Sequence, residues 1–192
     1  MKTHPVKLTP RERILAAATE LFYAHGIHTV GIDRIIKESQ VAKMTFYNHF
    51  ESKSKLVVAY LERQSDAVFA NLEKATSVPG VSETERVLGI FDFLEMAFSQ
   101  KEFHGCPFIK GLSEFGGSTQ DREVKRCIAR HFERLLEFVE ALLKPLKIKG
   151  RKKTANKIVS LINGSIVFAQ MSGNSSIAKL NRETALMILN QS

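Results

Sequence analysis

The chain is poor in the features that mark secreted or membrane proteins. It has only two cysteines, Cys106 and Cys127. They allow one disulfide at most, and a reducing compartment disfavours even that one, so two thiols are expected. The N-terminal MKTHPVKLTPRER lacks the apolar core of a signal peptide. The most apolar later stretch, IVSLINGSIVFAQM, is shorter than a membrane span and is broken by Asn163, Gly164 and Ser165. A cytoplasmic chain with no membrane partner is expected. Strand-like alternation, internal repeats, a phosphate-binding glycine loop and a paired-carboxylate site are all missing as well. These absences leave an all-α fold and little support for an enzyme.

Basic residues outnumber acidic ones. Lys plus Arg total 28 against 20 for Asp plus Glu, a net charge of +8, which favours an acidic partner such as nucleic acid. With 192 residues the chain can bury a real core without disulfides or metal.

Helix signals follow in order. TPRERILAAATELFYAHG offers Thr9 as N-cap, Glu12 three residues on, Pro10 at the first helical position and Gly26 past the end. Thr29 is placed to cap a second helix through about Ser39, with Ile32, Ile35 and Ile36 as its apolar stripe. A very short third helix comes after Ser39, Gln40 and Val41, which makes a helix-turn-helix pattern. Ser52 caps a fourth helix, and Ser82 with Glu85 forms a capping box for a fifth. KEFHGCPFIKGLSEFGGST reads as a turn, a short helix and another turn. A long helix from Asp121 is stopped by Pro145. KPLKIKGRKK reads as a basic connector, and helices over about 154–172 and 177–190 complete about nine.

The third helix carries the chemistry. At 100° per residue, Ala42, Phe46 and Phe50 fall on one side of AKMTFYNHF, while Met44 and Asn48 lie opposite, flanked by Tyr47 and Thr45. By this wheel His49 lies nearer the buried side. An outward Lys43, Met44, Tyr47 and Asn48 suit DNA: Asn bonds an adenine edge, Lys a guanine, and a Tyr or Thr hydroxyl a phosphate oxygen. The plainer reading is a solvated helix with one surplus aromatic.

From Arg13 to Leu56 the chain resembles the DNA-binding domain of the TetR family of one-component transcriptional regulators. The resemblance is carried by Ile14-Leu15, Ala17-Ala18, Leu21-Phe22, Gly26, Thr29, Ile35, Val41, Thr45, Tyr47, His49-Phe50, Ser52-Lys53 and Leu56. It implies a DNA face of Thr29, Lys43, Met44, Thr45, Tyr47, Asn48, His49 and Lys53, with Phe46 and Phe50 beneath and His49 meeting the DNA backbone. Two positions depart from the family pattern. Gln40 stands where the turn usually has Gly, and a non-Gly residue at positive φ costs on the order of 1 kcal/mol. Ala42 stands where Ser often starts the recognition helix, which forgoes a cap worth roughly 1 kcal/mol.

FHGCPFIKGLSEF resembles the turn and short helix of one TetR subgroup. The resemblance implies a helix-turn-helix domain over residues 1–52 and an effector-binding and dimerisation domain over 53–192. In the second domain, helices four to seven would enclose a small-molecule pocket and the last two would form a dimeric four-helix bundle. The apolar face of Ile158, Leu161, Ile162, Ser165, Ile166 and Ala169, followed by Leu180, Leu186, Ile188 and Leu189, independently suggests a partner chain. Candidate pocket residues are Phe69, Phe91, Met96, Phe103, Cys106, Phe108, Phe138 and Phe168, with Phe98 and Phe115 nearby in type. Most aromatics at helical spacing are plain core, and a pocket lined this way would take an apolar or aromatic ligand.

Cys106 precedes a short helix, where a lowered thiol pKa would suit oxidant or electrophile sensing; the plainer reading is a small buried hydrophobe. His104, Cys106, Cys127 and His131 are soft zinc-ligand types, but nothing in the sequence joins the two pairs, and no metal or cofactor is expected. A thiol-based or small-molecule-binding enzyme on a helical fold is the competing class. His104 and Cys106, two apart, rarely aim at each other, and no third orienting group is evident. The seven Lys or Arg between Lys144 and Lys157 read as a solvated loop or as an auxiliary DNA contact. The expectation is a ligand-responsive DNA-binding regulator, a homodimeric repressor released from a pseudo-palindromic operator by a small effector or by thiol modification.

Overall fold

The computed structural model describes residues 8–117 and 121–191. The extreme N-terminus and part of the turn expected after Phe115 lie outside the described residues. Among the described residues are nine α-helices and no strand: α1 Pro10–His25, α2 Ile32–Ser39, α3 Lys43–His49, α4 Lys53–Thr76, α5 Glu83–Phe98, α6 Pro107–Phe115, α7 Arg122–Leu143, α8 Arg151–Ser172 and α9 Ser176–Asn190. The expected all-α fold with a helix-turn-helix near the N-terminus is the observed one.

Local chemistry sets most helix ends. At α1 the Glu12 N–H donates to Thr9 Oγ1 (3.3 Å) and the Thr9 N–H donates to Glu12 Oε2 (2.7 Å), so the capping box is complete. The hydroxyl and N–H of Thr9, donating to the carboxylate, hold the Glu12 pKa below its usual value. Gly26 ends the helix at φ +85°, where a side chain would be strained. Ser52 accepts the Lys55 N–H at the start of α4, and Ser82 accepts the Glu85 N–H at the start of α5. The Glu85 carboxylate pairs with Arg182.

Two boundaries differ from the sequence expectation. Thr29 does not cap α2: its hydroxyl donates back to the His25 carbonyl at 2.8 Å, and Gly31 occupies the N-cap without a side-chain bond. α8 begins at Arg151, inside the expected basic connector, because Gly150 takes the left-handed conformation (φ +73°) and turns the chain into the helix. Three cations then sit in its first turn, the end at which the helix dipole disfavours them, which is why the sequence points to a later start.

Contacts divide the chain into two compact units. The first comprises residues 1–64 and 107–128, and the second residues 65–106 and 129–192. α4 and α7 therefore each contribute residues to both. The first unit packs α1, α2 and α3 with α6 and the first turns of α4 and α7. Ile14, Ala18, Phe22, Ile35, Phe46, Leu56, Tyr60, Phe108, Phe115 and Val124 are buried in it. Tyr60 meets Phe22 edge to face at 5.4 Å.

The second unit is built on α5 packed against α9, with α8 beside them. Its core includes Phe69, Leu72, Val87, Leu88, Ile90, Phe91, Leu94, Leu135, Val139, Ile158 and Ile162. Gly89 permits the approach of α5 to the end of α4, since a Cβ there would stand 2.6 Å from the Ala75 carbonyl oxygen. Arg182 on α9 ties to Asp92 (2.9 Å) and Glu85 on α5. Ser165, buried on α8, accepts the Asn181 amide at 2.7 Å and donates to the Leu161 carbonyl at 2.8 Å, so its hydroxyl is satisfied. On the other side of α8, Val167, Phe168 and Met171 are exposed with Gly164, at i, i+3, i+4 and i+7, as are Leu180 and Met187 on α9.

His131 is buried within this unit. Its Nδ1 lies 3.0 Å from Ser65 Oγ, its ring meets Phe69 edge to face at 5.5 Å, and Arg134 lies over the Phe69 ring at 4.0 Å while bonding Asp66 at 2.9 Å. Burial, and then the positive charge of Arg134, push the His131 pKa down from its ordinary value to about 4. The folded imidazole stays neutral in a range where the unfolded one protonates, so stability falls as pH drops from the unfolded pKa of about 6.5 toward the folded one. Urea unfolding should show a loss of about 2 kcal/mol from this group between about pH 7.5 and about pH 5. His131→Gln should remove that increment from the pH profile, and an unchanged profile would show that His131 is not the titrating group.

Candidate nucleic-acid interface

α2 ends at Gln40, which adopts the left-handed conformation expected of a Gly (φ 52°, ψ 43°). Its N–H closes onto the Ile36 and Lys37 carbonyls, and its own carbonyl accepts Arg13 Nη1 from α1 at 3.2 Å. Arg13 therefore braces the turn, a role that its place in the α1 sequence does not announce. α3 starts without a side-chain cap at Ala42.

Phe46 is wholly buried and Phe50 nearly so, with ring centroids 6.3 Å apart; Arg11 lies 5.3 Å from the Phe50 ring. The opposite face is open: Met44 is 72% exposed and Tyr47 40%, and Lys43, Asn48 and His49 are exposed too. Thr45 is half-buried. Tyr47 stands edge-on to Phe46 (5.3 Å, 81°), so the buried ring orients the exposed one. Two wheel-based expectations fail. Ala42 is exposed because it precedes the helix, and His49 is exposed because the short helix ends there and Phe50 leaves it with extended backbone.

The remaining two candidates lie on another part of the same unit. Thr29 is exposed on the α1–α2 loop, and Lys53, half-buried at the start of α4, donates from Nζ to the His28 carbonyl of that loop at 3.4 Å. Partial burial lowers the Lys53 pKa, and the nearby Glu114 carboxylate opposes the shift. Glu114, on α6, accepts the N–H groups of Ile27 (3.1 Å) and His28 (2.6 Å). The sequence gives no sign of this residue's role, because the bonds span 86 and 87 positions. Lys110, one helical turn earlier, donates to the Tyr23 carbonyl at 3.1 Å.

The α3 face holds the hydroxyls of Thr45 and Tyr47, which can donate to phosphate oxygens, the Lys43 ammonium, which can donate to a guanine edge, and the Asn48 amide, which can both donate to and accept from a base edge. No carboxylate occurs in α3. Such a surface suits a polyanion.

Four of the candidate pocket residues share one core cluster: Phe69 and Phe91 belong to it, and Phe103 and Phe138 pack against it. Phe69 and Phe138 meet at 5.8 Å beside His131, Phe103 is half-buried against Phe98 at 4.9 Å, and Phe91 is core. Phe108 is buried in the first unit. Met96 (59% exposed) and Phe168 (43%) correct the expectation that they line an enclosed space in the single chain, since each sits on the outer face of its helix. Cys106 is half-buried, Cys127 is buried, and neither forms a disulfide. Among the described residues no group of three or more His, Cys, Asp or Glu could hold a metal ion, and no helix is long and apolar enough to cross a membrane.

Residues 14–60 match the family model of bacterial regulatory proteins, tetR family. The crystal structure of SCO4454, a TetR-family transcriptional regulator from Streptomyces coelicolor, is similar over 95% of this chain and 93% of its own, with a TM-score of 0.80 at 29% identity. The transcriptional repressor NemR of Escherichia coli K12 is 29% identical over 126 residues, 62% of this chain and 63% of NemR. The transcriptional activator FasR of Mycolicibacterium smegmatis is 33% identical over 88 residues, 44% of this chain and 40% of FasR. The chain thus spans less than two thirds of either of those two relatives.

Proposed function

The chain belongs to the TetR family of helix-turn-helix transcriptional regulators, which are not enzymes, and from that premise we propose that it is a homodimeric repressor whose operator affinity is set by a small effector. The observation that carries this reading is the division of α3 into a buried underside, Phe46 and Phe50, and an open face of Lys43, Met44, Tyr47, Asn48 and His49. Residues 1–52 carry the reading helices and 53–192 the effector and dimerisation part, with the start of α4 and residues 107–128 packed in the same compact unit as the reading helices. Thr29, Thr45, Tyr47, His49 and Lys53 hold phosphates. Lys43, Met44 and Asn48 meet base edges. An ammonium has three donors, so Lys53 can keep its bond to the His28 carbonyl while it meets a phosphate.

The exposed apolar face of Val167, Phe168 and Met171 on α8, with Leu180 and Met187 on α9, supports pairing with a second copy through the last two helices. Two such subunits read half-sites about one helical turn (~34 Å) apart in a cytoplasmic setting. Repression is favoured over activation because the alignment to NemR, named a repressor, is longer than that to FasR, named an activator. The Phe69, Phe138 and Phe103 aromatics suit an apolar or aromatic effector, and the half-buried Cys106 thiol just before α6 supplies an alternative, covalent trigger. Either acts by binding or marking one conformation in preference to the other.

On the duplex that the wild-type protein enriches from a random library, Tyr47→Ala and Lys53→Ala should weaken binding on all sequences. Lys43→Ala and Asn48→Ala should also relax preference at single positions, by about 1–3 kcal/mol each. Anisotropy titrations read both effects, and wild-type behaviour in all four variants would remove the recognition assignment. In the same assay, aromatic effectors or thiol oxidation should lower affinity, with Cys106→Ser abolishing only the second response. Affinity that no effector and no oxidant changes would contradict the switch.

A further inference from the structure

A carboxylate beside a DNA-binding surface is unfavourable by charge alone, since it repels the phosphates that the surface has to attract. Glu114 nevertheless stands there, half-buried on the last turn of α6, with both oxygens engaged by the α1–α2 loop: Oε1 accepts the Ile27 N–H at 3.1 Å and Oε2 the His28 N–H at 2.6 Å. The grip is two-sided. His28 Nε2 lies 2.9 Å from the Glu114 carbonyl oxygen, which can only accept, so this ring nitrogen carries the proton and donates. The same ring packs against Phe115 with centroids 4.6 Å apart. Lys53 completes the cluster, donating to the His28 carbonyl at 3.4 Å and lying close enough for Glu114 to stabilise its charge.

Thr29 follows this clamped dipeptide directly and turns its hydroxyl to the His25 carbonyl. The loop therefore has two of its N–H groups, its imidazole and one carbonyl fixed from α6 and the start of α4, and Thr29 is left exposed beside them. We propose that Glu114 is a positioning residue for DNA binding, holding the α1–α2 loop so that the Thr29 backbone N–H and the Lys53 ammonium meet the phosphate backbone preorganised. This rests on the reading of Thr29 and Lys53 as phosphate contacts. Without the carboxylate the loop has to be ordered at the moment of binding, and the cost appears as lost affinity.

Two explanations of Glu114 differ in the sign of one substitution. If the residue were only a negative charge near DNA, Glu114→Gln would tighten binding. As a positioning residue it weakens binding when changed to Gln, which keeps one acceptor oxygen but sets an NH2 against the other N–H. It weakens binding further when changed to Ala, by about tenfold.

The test uses the full-length protein in two arms. Amide hydrogen exchange without DNA should show Ile27 and His28 protected in the wild type, faster in Glu114→Gln and fastest in Glu114→Ala, with the α1 amides unchanged as the check on folding. Anisotropy on the library-selected duplex across a salt series should show the same order of affinity, with the slope of log K against log salt shallower by about 1 in Glu114→Ala as the Lys53 contact is lost. Tighter binding by Glu114→Gln, unaltered exchange at Ile27 and His28, or faster exchange with unaltered affinity each overturns the proposal. If the wild type enriches no duplex, the DNA reading fails, and the positioning role falls with it whatever the exchange arm shows.

Discussion

Everything on the reading side of this molecule depends on the burial of Phe46 and Phe50. α3 has seven residues, far fewer than an isolated helix needs in water, and it begins without a side-chain cap after a turn whose Gln40 sits at positive φ. The missing cap and the left-handed glutamine together cost about 2 kcal/mol. Two buried phenylalanines return about 3 to 6 kcal/mol, so packing holds a helix that local propensity would not. The same anchoring fixes its rotation. With Phe46 beneath, Met44, Tyr47 and Asn48 have to face out.

That dependence explains which parts of the site the sequence makes legible. The capping box at Thr9 and Glu12 and the aromatic underside of α3 are short-range signals, and both appear where the residue pattern places them. Thr29 misleads because a threonine three residues before the first residue of α2 has a nearer partner in the His25 carbonyl. His49 misleads because a wheel assumes that the helix continues past its last turn. Glu114 and Arg13 are invisible for a different reason: one reaches the loop from 87 positions away and the other reaches the turn from 27, and neither distance leaves a periodicity to read.

The second unit was legible as architecture and not as a site. Apolar periodicity foretells α8 and α9, and of the phenylalanines Phe69, Phe91 and Phe98 are core with Phe103 and Phe138 packed against it, as aromatics at helical spacing usually are. Which of them stay outside is decided by helix rotation against neighbours that pattern cannot name, and so Met96 and Phe168 are exposed while Phe69 and Phe91 are not. The neutral, buried His131 beside Ser65 is likewise a product of packing: only its burial among the surrounding rings keeps it uncharged.

The central claim is that the outward face of α3 enters the major groove in two copies. Dimethyl sulfate footprinting on the selected duplex tests it most directly, because guanine N7 lies in the major groove and adenine N3 in the minor. The account predicts guanine N7 protection in two clusters about one helical turn (~34 Å) apart or slightly more. Protection confined to adenine N3, or none at a protein concentration that saturates the duplex, would contradict it.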